Sequence, residues 1–172
     1  MDAIEVARQH AAALQAAAVA KGADPWRPYD LACAVAGAHG LDVEVVKPGS
    51  VGLKGGRAVF DPKARAIQHE ATGNSFHDAF LVGHELGHAS LGDDQVEDVF
   101  EQIDPARPAE AAPVGEERVV DYNRRQRREV QMDLFSRELL MPRPWLRALH
   151  RERMTASAIA ERLGAPFDAV AQ

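Results

Sequence analysis

Apolar residues fall at helical spacing toward both ends of the chain, while the stretch from about residue 43 to residue 69 reads as short strands separated by turns. Over residues 3–21, Ile4, Ala7, Leu14 and Ala18 line one side of a helix. Pro25 and Pro28 break it, and a second helix over residues 29–39 ends at Gly40, a glycine suited to a C-terminal cap. Val43, Val45 and Val46 suggest a strand, and Gly49, Gly52, Gly55 and Gly56 mark turns. Residues 57–61 and 64–69 read as a strand pair around Pro62 and Lys63. A third long helix follows over residues 76–91. In a fourth, Met132, Phe135, Leu139 and Leu140 recur until Pro142. Beyond it, Trp145, Leu146 and Leu149 make a short amphipathic helix. Thr155 to Gly164 opens on a capping residue and closes on glycine, and Pro166 begins another helix. The expected fold is α+β: a small sheet flanked by helices.

The third helix carries His84-Glu85-Leu86-Gly87-His88. Residues four apart lie one turn above each other on a helical face, so two imidazoles at this spacing can grip one cation. Glu85 sits beside them as a carboxylate able to take a proton from water at the metal. Phe80, Leu81, Val82, Leu86 and Leu91 make this helix at least half buried. Burying two His and a Glu without partners would cost several kcal/mol, and a cation removes that cost. Gly83 and Gly87 each sacrifice about 1 kcal/mol of helix propensity. Either a substrate strand passes close to them, or a neighbouring helix packs tightly there.

Catalytic zinc commonly has three protein ligands. In the fourth helix, Glu129 and Asp133 are four apart on the side of Met132 and Ser136, and so point inward with the apolar stripe. Glu129 suits the third ligand. Asp133 suits a carboxylate that accepts the outer N–H of a ligand His. The competing reading is a solvated carboxylate pair beside Arg125 or Arg128.

The run from Phe80 to His88, followed some forty residues later by Glu129, Asp133 and then Phe135-x-x-Glu138-Leu139-Leu140-Met141-Pro142, resembles the ImmA/IrrE family of metallopeptidases. The resemblance implies a small zincin-like, zinc-dependent endopeptidase. It also implies action on a helix-turn-helix repressor protein, and so a role in transcription regulation and stress response. By matching position it makes His84, His88 and Glu129 the zinc ligands and Glu85 the catalytic base. Family members often carry a further His after the motif, where this chain has Leu91-Gly92, and Ala-Asn where it has Met132-Asp133. The resemblance suggests a metallopeptidase domain over residues 1–150 and a helical extension over 151–172. The extension looks like half of a helix-turn-helix, cut short.

Bulk properties narrow the setting. At 172 residues the length fits one domain with a sizeable core, and a net charge of −6 argues against nucleic acid as the main partner. The single Cys33 excludes an internal disulfide framework, fits a reducing cytoplasm, and is expected to pack as a small hydrophobe. The N-terminus lacks the basic start of a signal peptide, and no apolar run approaches a membrane span.

Several residues stay open. Arg124, Arg125, Arg127 and Arg128 form a solvated face or bring one guanidinium to the metal. Tyr122, His69 and His77 are further candidates to stabilise an oxyanion. His10, His39 and His150 read as structural. Residues 93–117 have the composition of a loop, either a substrate gate or an inert connection, with Val96, Val99 and Ile103 undecided between strand and helical turn. Two other functions compete with hydrolysis: a regulatory module with a structural metal, and a peptidase-like segment of a larger DNA-processing protein.

Overall fold

The computed structural model describes residues 2–92, 103, 105–106 and 124–172, with the side chains of the last segment described from Arg127 onward. In chain order its elements are α1 (Ala3–Ala20), α2 (Pro28–Ala38), β1 (Asp42–Val46), a 3-10 turn (Val51–Leu53), β2 (Ala58–Asp61), β3 (Ala66–Glu70), α3 (Ser75–Ser90), α4 (Arg124–Leu140), α5 (Arg143–Arg151), α6 (Ala156–Leu163) and α7 (Phe167–Ala171). The fold is α+β. Every element expected from the pattern among these residues is present, with boundaries moved by a few residues at most. The connection between α3 and α4, with Val96, Val99, Glu117, Asp121 and Tyr122, lies outside the described residues apart from Ile103, Pro105 and Ala106.

The sheet has the order β1-β3-β2, with β1 parallel and β2 antiparallel to the central β3. Pairing puts Val43 beside Ile67 and Phe60 opposite Ile67, so these three share the face that meets the core. The other face is polar: Gln68 donates to Glu44 at 2.8 Å and Arg57 pairs with Glu70. One dry face and one wet face explain the alternation seen in the sequence.

Helix α3 packs on α2, on α4 and on the β2–β3 hairpin, while α1 lies against α4. Asn74 caps α3 by accepting from the His77 N–H at 2.9 Å. From Phe80 to His88 every residue of α3 is buried, and so is every residue of α4 from Val130 to Leu140 except Arg137. A helix covered on all sides must find a partner for each polar group it carries. In α4, Asp133 pairs with His84, Ser136 donates to the Phe80 carbonyl, Glu138 accepts from Arg143, and Arg137 donates to Gln172. Among the described residues, no side-chain nitrogen or oxygen that is itself sealed from solvent lacks a hydrogen-bond partner.

The two glycines of α3 answer the question left by the sequence. A Cβ at Gly83 would collide with the Ser136 hydroxyl and lie 3.4 Å from the Ser136 Cα; at Gly87 it would meet Met132 Sδ at 2.8 Å and Phe135 Cδ1 at 3.1 Å. Both glycines face α4, so tight helix packing accounts for them. The obstacle differs between the two. At Gly87 the nearest atom belongs to a flexible thioether side chain, whereas at Gly83 the Ser136 Cβ, fixed directly to the α4 backbone, is also too close at 3.2 Å. Gly83→Ala should therefore destabilise the metal-free protein by about 1–2 kcal/mol, overpacking outweighing the gain in helix propensity. Chemical denaturation reads this directly, and an unchanged or higher midpoint would contradict the packing argument.

Helices α5 to α7 join the same core through Leu149, Ile159, Ala160, Leu163, Ala169 and Val170. Thr155 caps α6, and Gly164 ends it in the left-handed conformation at φ 68°. Its carbonyl accepts from Asn74 at 3.1 Å, linking the C-terminal helices to the start of α3. Trp26 stacks edge-on against Trp145 at 4.9 Å, with Arg162 over its ring. Among the described residues, no helix is long and apolar enough to cross a membrane.

Candidate metal centre

Helix α3 presents His84 and His88 one turn apart, and α4 presents Glu129 to both. His84 Nε2 lies 3.1 Å from Glu129 Oε2 and 3.3 Å from His88 Nε2, and His88 Nε2 lies 3.6 Å from Glu129 Oε1. One ligand atom from each side chain falls within 4.8 Å of the other two, so the three could hold a metal ion together. The His side chains are 2% and 7% exposed and Glu129 is 17% exposed, which gives a closed floor and a more open carboxylate side.

The donor set suits a cation on physical grounds. Asp133 Oδ1 lies 2.8 Å from His84 Nδ1 and accepts its proton. In the neutral imidazole that leaves the Nε2 lone pair directed at His88 Nε2 and Glu129. Two nitrogen lone pairs and a carboxylate converging in a buried space repel one another unless something positive sits among them. Zinc, with its preference for N and O donors in this number, matches them.

Without metal, a proton can fill that need. Burial alone would lower the His84 pKa, but the hydrogen bonds to Asp133 and Glu129 outweigh it and push it up to about 10. A His pKa above its unfolded value of about 6.5 stabilises the fold fully below that value, and the contribution is lost as pH rises through about 10. At pH 7 metal entry must therefore expel this proton. Calorimetric titration of the metal-free protein with zinc, in two buffers of different protonation enthalpy, should show about one proton released per ion. No buffer dependence would refute the protonated state.

Glu85 is buried to 8% residual exposure beside His84. Among the described residues no side chain is hydrogen-bonded to its carboxylate, in contrast to the partnered Asp133 and Glu138.

The other candidates divide. His69 is fully buried and both its nitrogens are engaged: Nδ1 donates to the Glu70 carbonyl, and Nε2 accepts from the Tyr29 hydroxyl at 2.9 Å. It has no N–H left for an oxyanion. His77 lies two turns before His84, about 10 Å along the helix. Tyr122 lies outside the described residues, as do the side chains of Arg124 and Arg125. Arg127 is exposed, whereas Arg128 donates to the Leu91 carbonyl and to Gln131. His10 stacks against Phe135, His39 is bonded to the Val35 carbonyl, and His150 is exposed. Cys33, expected to pack as a hydrophobe, is only half-buried and lies near Tyr29. Burial and the neighbouring Cys33 push the Tyr29 phenol up to about 12. Sequence reasoning missed Gln131, bonded to Ala3, and the Tyr29–His69 pair, both contacts between residues far apart in the chain.

A family model described as the IrrE N-terminal-like domain, that of the peptidase M78 family, matches residues 40–172, more than three quarters of the chain. The chain belongs to the M78 family. The match spans β1 to α7 and includes His84, Glu85, His88, Glu129 and Asp133, so the cluster lies inside the shared M78 segment. Helices α1 and α2 lie outside it. No curated protein matches the chain.

Proposed function

We propose that this protein is a zinc-dependent endopeptidase that cleaves a protein substrate, with a helix-turn-helix repressor as the favoured target. The observation that carries this reading is the buried convergence of His84, His88 and Glu129 with an uncommitted carboxylate, Glu85, next in sequence to the first ligand. M78 membership supports a metallopeptidase in general. A purely structural metal site would have no use for Glu85, and this favours hydrolysis over a regulatory module.

Held by these three side chains, zinc would supply Lewis-acid polarisation of the attacked carbonyl and of water. The protein's own groups do the rest. Glu85 takes one proton from the attacking water as its oxygen bonds to the carbonyl carbon, then delivers that proton to the amine nitrogen as the C–N bond breaks. Asp133 holds the His84 ring in one tautomer and orientation, keeping Nε2 turned toward Glu129. The buried walls of α3 and α4 keep bulk water from Asp133, so its attraction for His84 is little screened.

The test is to incubate the zinc-loaded protein with purified repressors encoded beside it and look for a discrete cut by mass spectrometry. A single new terminus that disappears with chelator is the expected result; intact substrates across the set would count against the repressor. A cytoplasmic location belongs to the same proposal, since such a substrate is found there.

A further inference from the structure

Glu129 stands at the edge of the buried part of α4. The fully buried part of the helix begins one residue later, at Val130, while Arg127 is exposed and Arg128 is half-buried. Yet this end of the helix carries the carboxylate that lies 3.1 Å from His84 Nε2 and 3.6 Å from His88 Nε2. Three hydrogen bonds meet there. Arg128 Nη2 donates to the Leu91 carbonyl at 3.3 Å and Nη1 donates to Gln131 Oε1 at 3.0 Å; Gln131 Nε2 donates to the Ala3 carbonyl at 2.9 Å. Leu91 is the C-cap of α3, three residues beyond His88, and Ala3 opens α1. One guanidinium and one buried amide thus join the end of the histidine helix, the carboxylate helix and the N-terminal helix. Their own residues flank Glu129 on both sides. A cation at the C-terminus of α3 also meets the negative end of its dipole, which favours this placement.

We propose that Arg128 and Gln131 are positioning residues that hold the Glu129 carboxylate in register with the two imidazoles, and so set the affinity for metal. The proposal rests on the reading of His84, His88 and Glu129 as a metal centre. It assigns Arg128 a task other than contact with substrate, because two of its N–H groups are directed at the protein. Lysine cannot reproduce the fork that reaches two acceptors at once. Gln131→Ala removes the link to α1 and the acceptor of Arg128 Nη1, while the bond from Arg128 Nη2 to the Leu91 carbonyl is kept.

The test is zinc affinity, measured on the full chain by competition with a chromogenic chelator, alongside far-UV circular dichroism and the denaturation midpoint of the metal-free protein. Arg128→Ala should weaken zinc binding by about ten- to a hundredfold, the range for groups that orient metal ligands, with Gln131→Ala and Arg128→Lys losing less. A purely structural role would lower the midpoint and leave zinc affinity of the folded protein unchanged; that result in Arg128→Ala and Gln131→Ala would overturn the proposal. Should Arg128→Ala fail to fold, Arg128→Lys and Gln131→Ala decide by the same criterion. Affinity is read independently of cleavage. A protein that binds zinc and cuts nothing sinks the peptidase reading while these variants still decide this one.

Discussion

Glu85→Gln should retain zinc and lose cleavage by a factor of about 10²–10⁴, the usual contribution of a positioned general base. The substitution keeps the size of the side chain and removes only its ability to take a proton. Because the Glu85 carboxylate is hydrogen-bonded to no described side chain, the substitution breaks no side-chain hydrogen bond, although it also removes a charge that acts on His84. The variant should fold, bind metal as tightly as the parent, and trap substrate uncut. Equilibrium zinc affinity and steady-state cleavage measured on one preparation test both halves. Full cleavage by Glu85→Gln would remove the proposed base, whereas loss of zinc would make Glu85 part of the metal set.

Glu129→Ala should have the opposite signature. Removing one of three donors ought to weaken zinc binding by more than about a hundredfold, exceeding the cost of losing an orienting group around the metal. Cleavage should fall with occupancy and recover partly at high zinc. The metal-free fold is expected to suffer less, since Glu129 is the most exposed of the three and the only one on the open side. It also loses one acceptor for the His84 imidazolium, so the His84 pKa should drop in this variant. Unaltered zinc affinity would exclude the carboxylate as a ligand and leave a two-histidine site too poor for the proposed chemistry.

The contrast between what the chain announced and what it hid has a physical basis. Helical and strand periods are local, so α3 and α4 could be read from Phe80, Leu86, Met132 and Phe135, and the inward side of α4 singled out Asp133 and Glu129, which lie beside His84. The hairpin of β2 and β3 followed from Pro62 and the apolar positions around it. Pairings across long separations left no such trace. Arg128 and Leu91 are 37 residues apart, and Gln131 and Ala3 are 128 apart. Neither contact has a spacing that a linear pattern could reveal. His69 misled for a related reason: a histidine in a strand looks available until its two partners, Tyr29 and the Glu70 carbonyl, are known. Gly83 and Gly87 had two explanations, and only the position of Ser136 and Phe135 on the facing helix chose between them.

Helix α1 lies beyond the shared family segment, yet it covers one flank of α4 and contributes Ala7 and Ala11 to the common core. The unit that evolution repeats and the unit that must fold here therefore have different borders. A polypeptide started at residue 40 would keep every proposed ligand while baring the greasy flank of the helix that carries one of them. Trimming to the recognisable portion would thus expose apolar surface and also cut the bond from Gln131 to Ala3.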